Sequence, residues 1–176
     1  LFGAFVNSMQ DPEEHPPFPK EVQKIVWEDV GQTADEHNEP GQFTAFIGYE
    51  WTSMIEGNNL HRVVIYKDGA DKTSQVPPFT SQESADPRDL WMALEEYEKT
   101  TGGEVMAIPH NGNLSNGMMF PDESVDGERL NLSYAETRAR WEPIYEVSQV
   151  KGDGESHPTL SPDDQFANFE NWDWDN

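Results

Sequence analysis

Cysteine is absent from this 176-residue chain. That excludes disulfides and thiolate metal sites and leaves the redox compartment open. Positive charge is scarce: 11 Lys and Arg stand against 34 Asp and Glu, a formal net charge of −23. Such a surface repels a phosphate backbone, so nucleic acid is not expected as a partner. It suits cation binding, although a solubilising surface is the simpler explanation. No run approaches the ~18–20 consecutive apolar residues of a membrane span. Leu1 to Met9 lacks the basic start of a signal peptide, and no membrane partner is expected. Gly-x-Ser-x-Gly, His-Glu-x-x-His and P-loop patterns are missing too. From Asp122, "DESVDGERLNLS" begins like a calcium loop with Gly127 at its sixth position, but Ser133 stands where the closing Glu belongs.

What is present argues for a packed domain. Six Trp, nine Phe and five Tyr are too many large aromatics for a solvating tail, and the length suits one domain. After a Pro- and acid-rich opening that holds His15, Lys20 to His37 has the spacing of an amphipathic helix. Its apolar face is Val22, Ile25, Val26 and Val30. Phe43 to Tyr49 is nearly continuous in apolar residues, as expected of a strand covered on both sides. A loop, Trp51 to Leu60, leads to a strand at Arg62 to Tyr66.

The next helix is punctuated by Asp86 at the N-cap and Pro87 at the first position, with Leu90, Leu94 and Tyr97 as its buried stripe. Val105 to Pro109 is a short strand ending at His110. Ser133 and Glu136 are spaced as a capping box for a helix from Tyr134 to Trp141. Ile144 to Val150 is the last strand. Helices alternating with short apolar strands predict an α/β layer or barrel, in which functional groups collect at strand ends.

Glu50 ends one strand and His61 opens the next, where a charge costs several kcal/mol unless paired or bound to metal. The intervening loop is too short for a parallel crossover, so the two strands are expected to be antiparallel neighbours. Glu50 and His61 then share a sheet edge that His110 can join. Two imidazoles and a carboxylate at one rim suit Zn, Mn or Fe. Against this stands the bland alternative, a rim carboxylate beside packed core imidazoles. Asn111, Gly112 and Asn113 permit a tight turn presenting amides to the same cavity. His157, in "GDGESHP", is a further candidate ligand with Glu155 beside it. His15 and His37 read as surface residues.

The blocks "FTAFIGYEWTS", "GNNLHRVVIYKDG", "GGEVMAIPHNGNLSNGMMF" and "EVSQVKGDGESHPTLSPDDQFANFENWD" resemble a bacterial domain-of-unknown-function family related to the PHP (polymerase and histidinol phosphatase) metallohydrolases. The resemblance spans roughly Gln42 to Asp173. It implies a distorted β/α barrel with mixed strands, whose rim holds two or three divalent metal ions and hydrolyses phosphoester-type bonds. It implies that Glu50 is a metal ligand that bridges two ions, and that His61 and His110 are terminal ligands. Asn59, Asn111 and Asn113 are then placed to orient ligands or substrate.

The resemblance also implies an N-terminal His-x-His pair and a C-terminal Asp-x-His pair; no His-x-His occurs here, and the one Asp-x-His, Asp35 to His37, precedes Glu50 and is not C-terminal. Residues 1–176 are accordingly expected to be the central part of a single PHP-like domain. Its missing N- and C-terminal segments would be needed for activity and stability. The expected substrate is a small-molecule ester, and the location is periplasmic or cytoplasmic in bacteria. Alternatives are an amide or sulfate-ester metallohydrolase on the same scaffold, or a non-catalytic acidic binding or structural module.

Overall fold

A computed structural model describes residues 19–124, 126–169 and 171; His15 lies outside them. The chain runs through helix α1 (Lys20–His37), strands β1 (Ile47–Trp51), β2 (Met54–Ile55), β3 (Asn58–Asn59) and β4 (Arg62–Tyr66), and short helix α2 (Ala70–Thr73). Helix α3 (Pro87–Thr101), strand β5 (Val105–Pro109), a 3-10 turn at Gly112–Leu114, helix α4 (Leu132–Trp141) and strands β6 (Ser148–Gln149) and β7 (Gly152–Asp153) complete it. The fold is mixed α/β. Its main sheet has the order β1-β4-β5, and two small hairpins, β2-β3 and β6-β7, stand apart from it.

Every strand pair among the described residues is antiparallel, so the expected mixture of strand directions is not found there. No closed barrel forms among them either. Between β1 and β4 the connection is too short for a parallel crossover, which needs a dozen or more residues and usually a helix; the segment from β4 to β5 carries α2 and α3 and would allow either direction. No helix among the described residues is long and apolar enough to cross a membrane.

Strand alternation decides what is buried. On one face of the sheet Ile47, Trp51, Val64, Tyr66, Val105 and Ala107 are buried. Leu90, Trp91, Leu94 and Tyr97 of α3 pack onto that face, as the helix stripe predicts. Each such side chain contributes about 1.5–3 kcal/mol on burial. Asp86 caps α3 as expected, its carboxylate accepting from the Arg88 amide at 2.9 Å. The helix stops at Gly102, in the left-handed region with φ 63°, a conformation that favours glycine. The opposite face of the sheet, with Gly48, Glu50, Val63, Ile65, Met106 and Ile108, is only partly covered. The strands are not sandwiched on both sides as their apolar run suggests.

Several boundaries differ from the sequence pattern. The first strand begins at Ile47 and runs through Glu50 to Trp51; Phe43 and Phe46 are exposed. The valine-isoleucine stripe of α1 is exposed, and Trp27 with Gly31 forms the buried face. The Trp27 indole donates to the Thr73 carbonyl at 2.8 Å, and Gly31 lets α2 approach closely through Ala70. One satisfied, buried indole outweighs a stripe of smaller side chains. Helix α4 is capped by Asn131, which accepts from the Tyr134 amide at 3.0 Å, in place of Ser133. Only Ser148–Gln149 of the expected last strand is paired, within its own hairpin.

Candidate metal centre

Register brings the three predicted residues together. In β1 and β4, Glu50 faces Val63 and Trp51 faces Arg62, so the two strands are antiparallel neighbours, as the loop length requires. Between β4 and β5, Val63 faces Ile108 and Arg62 faces Pro109. One step further along, the His110 amide donates to the His61 carbonyl at 3.2 Å. With a side-chain period of two, Glu50, Val63, His61, Ile108 and His110 all project from the outer face. Glu50 lies diagonally from His61, and His61 lies opposite His110.

The side chains meet there. Glu50 Oε1 is 2.7 Å from His61 Nδ1 and 3.4 Å from His110 Nε2. The two imidazole rings lie 5.6 Å apart at 64°. One donor atom from each residue falls within 4.8 Å of the other two. A tetrahedral ion with bonds of ~2.0–2.2 Å sets its donors roughly 3.3 Å apart, so a modest side-chain adjustment closes the set.

Unsatisfied nitrogens mark the place. The imidazole of His61 is almost fully buried, and neither of its ring nitrogens has a hydrogen-bond partner; the same is true of His110 Nδ1. The short Glu50 contact fails hydrogen-bond geometry at His61. Buried polar atoms left without partners cost about 1–3 kcal/mol each, a cost that an ion can offset. The carboxylate is half exposed and offers the opening to solvent. Donor types, spacing and orphaned nitrogens together fit a divalent metal ion. Glu50, His61 and His110 form a cluster that can hold one.

Burial is the largest influence on His61 and lowers its pKa to about 4; the Glu50 carboxylate pulls upward, while His110 and Lys151 push further down. The ring is therefore neutral at pH 7, with a lone pair free for a ligand. In the metal-free protein, stability is expected to fall as pH drops from about 6.5 toward 4. The unfolded imidazole binds its proton near 6.5 and the folded one only near 4, so unfolding takes up a proton in that window. The loss is of order 2–3 kcal/mol. Urea unfolding at pH 7 and pH 4.5 measures it, and His61→Gln should flatten the pH slope by about one proton. An unchanged slope in that variant would show that other groups carry the acid sensitivity.

The asparagines take different parts. Asn59 Oδ1 accepts from the His61 amide at 2.9 Å and so fixes the backbone of that residue. Asn111 is buried in the left-handed region, with φ 57°, and neither atom of its side-chain amide has a hydrogen-bond partner. Its main-chain amide donates to Glu146 Oε2 at 3.0 Å. Asn113 Nδ2 donates to the Lys151 carbonyl at 2.9 Å.

His157 and Glu155 do not join the cluster. They are exposed and line a neighbouring hollow of about 370 Å³, together with Gly112, Asn113 and Tyr145. The His157 ring is engaged by Thr159 Oγ1 at 2.7 Å within its own turn, which holds it away from the ligand set. His37 is a surface residue, its Nδ1 2.8 Å from the Thr33 carbonyl.

Glu146, which accepts from the Asn111 amide, and Lys151, whose carbonyl accepts from Asn113, carry no motif in the sequence. Nor is there one for the buried pair Arg62–Glu142, which lies on the opposite face of the sheet from the cluster. Only the inward parity of Arg62 with Val64 and Tyr66 signalled it.

The fold and the site define a mixed α/β protein whose antiparallel sheet carries a carboxylate–imidazole–imidazole cluster at one edge. The chain belongs to the family described as "Protein of unknown function (DUF3604)", whose model matches residues 4–176. No curated protein and no solved structure matches it.

Proposed function

We propose that this protein is a metal-dependent hydrolase of phosphoester-type bonds, related to the PHP metallohydrolases. The observation that carries the proposal is the convergence of Glu50, His61 and His110 with buried imidazole nitrogens that lack partners. Zn, Mn or Fe suits this donor set, with two or three ions in the intact site. A divalent ion bound there would supply Lewis acidity and lower the pKa of a coordinated water toward neutrality.

The chain's own residues prepare the place. His61 and His110 present ring nitrogens from backbone held rigid by the β4–β5 ladder. Glu50 brings one oxygen close to both imidazoles and keeps its solvent side open, where it could serve as a ligand to an ion held with them. Asn59 locks the His61 main chain, and the side-chain amide of Asn111, next in sequence to His110, is buried without a partner. A small-molecule ester is the substrate these groups suit.

The test is made on the full-length protein, stripped with chelator and reloaded with Zn²⁺ or Mn²⁺. Phosphomonoesters, phosphodiesters, sulfate esters and amides are offered side by side. Metal retention with phosphoester hydrolysis that disappears on chelation is expected. Faster turnover of a sulfate ester or amide would place the chemistry in another class. Failure to retain any metal would leave a non-catalytic module.

A further inference from the structure

His110 Nε2 faces the Glu50 carboxylate at 3.4 Å, which leaves Nδ1 as the ring nitrogen for an orienting group. A metal-binding histidine almost always has that second nitrogen held by a carboxylate, a carbonyl or water. His110 Nδ1 is buried and has no hydrogen-bond partner among the described residues. The direction of the imidazole therefore depends on the backbone that carries it. That backbone is leaving the sheet. Strand β5 ends at Pro109, and Asn111 turns into the left-handed region, φ 57° and ψ 35°, which Asn tolerates better than most residues.

A residue turned out of a ladder has no strand partner left for its main-chain amide. Asn111 is only 1% exposed, so that amide needs an acceptor from the protein. Glu146 supplies it. Its Oε2 accepts from the Asn111 amide at 3.0 Å, while its own amide donates to the Pro109 carbonyl at 3.3 Å. One residue thus grips the chain immediately before and immediately after His110. The His110 amide is held from the other side by the His61 carbonyl at 3.2 Å. The neighbouring Tyr145 hydroxyl lies so close to Gly112 that a Cβ there would meet it at 2.1 Å, which seats the same segment on the turn a second time. Glu146 is half-buried and takes part in none of the ion pairs among the described residues.

We propose that Glu146 is a positioning residue of the metal centre: its main chain and its carboxylate bracket His110 and set that imidazole toward Glu50 and His61. The inference rests on the metal-site reading above and adds to it a residue that touches none of the three donors. The carboxylate acts here by reach, as an acceptor at a fixed distance from the Asn111 amide, and not by its charge. Glutamine keeps that reach and an acceptor oxygen. Aspartate keeps the charge and is one methylene too short. The main-chain half of the grip persists in every substitution, so the variants test the side-chain half.

The test uses the full-length protein, stripped of metal, with Mn²⁺ titrated by calorimetry and Co²⁺ followed by its visible absorption. Glu146→Ala is expected to bind Mn²⁺ about 10–100-fold more weakly, as for the loss of a group that orients a ligand. Glu146→Gln should stay within about threefold of the parent, a neutral acceptor being weaker than a charged one. Glu146→Asp should fall with the alanine variant. At saturating Co²⁺ the absorption of Glu146→Ala should differ from that of the parent, because a displaced imidazole changes the coordination, and Glu146→Gln should restore it. A merely structural glutamate would lower stability and leave the saturated spectrum unchanged, and that result overturns the inference. Mn²⁺ affinity of Glu146→Ala within about twofold of the parent overturns it too. So does Glu146→Asp binding as well as or better than Glu146→Gln, which would assign the effect to charge; this pair decides the matter even if the alanine variant fails to fold. A parent that binds neither ion overturns the metal reading, and this inference with it.

Discussion

Glu50→Gln and His110→Ala are each expected to lower metal affinity by on the order of 100-fold or more and to reduce turnover in proportion. Losing a group that only orients a ligand typically costs 10–100-fold, and in the proposed site these two are the ligands themselves. Each substitution leaves a donor set too small to fix one ion, because Glu50 Oε1 is the atom that approaches both imidazoles. Folding should hardly change. The Glu50 side chain is half exposed on the uncovered face of the sheet and contributes little packing. The His110 imidazole is mostly buried, but its Nδ1 has no partner, so truncation removes a desolvation penalty along with some contact. Metal content by elemental analysis, rates, and thermal melts of the metal-free proteins measure all three effects. Near-parental metal content and rate in both variants would mean that the cluster is structural.

The largest expected loss of stability lies on the opposite face. Arg62 is fully buried because it shares the inward parity of Val64 and Tyr66. Its Nε donates to Glu142 Oε1 at 3.0 Å, and its Nη1 donates to the Leu60 carbonyl. Trp91 Nε1 donates to the same Glu142 oxygen at 2.8 Å, and Arg138 Nε lies 3.0 Å from the other. Burial favours the uncharged form of Arg62 and Glu142 opposes it, the carboxylate keeping the guanidinium charged in place.

Removing one partner leaves the other charge buried without compensation, which typically costs 3–5 kcal/mol. Glu142→Ala is therefore expected to lose about that much in urea unfolding, since it strands Arg62 and frees the Trp91 indole together. Arg62→Met combined with Glu142→Leu should lose markedly less than the two single variants added. A Glu142→Ala loss below about 1 kcal/mol would show that water or a shift of α4 replaces the carboxylate.

The site was more legible than the body of the fold. Glu50, His61 and His110 were found because ionisable residues at the ends of apolar strands are costly and few. The loop of Trp51 to Leu60 also allowed only one strand direction. Helix α3 was equally clear, since Asp86, Pro87 and the Leu90–Leu94–Tyr97 stripe satisfy capping and periodicity at once. Where local rules agreed with one another, they agreed with the structure.

Tertiary packing decided the rest. The apolar stripe of α1 obeys helical periodicity, yet which face is buried depended on α2, whose Thr73 carbonyl satisfies the Trp27 indole. The run Phe43 to Tyr49 looked like a strand covered on both sides, but pairing with β4 fixed its register and left Phe43 and Phe46 outside. His157 carries the residue type of a ligand and is held elsewhere by Thr159. Glu146 and Lys151 carry no motif and are tied to the segment after His110 by Asn111 and Asn113. Periodicity and residue cost are properties of a segment, so helix α3 and the three convergent donors could be read from the chain alone. Which face of an element is covered, and which distant segment is tied beside a site, depends on partners far along the chain, so those features emerged only from packing.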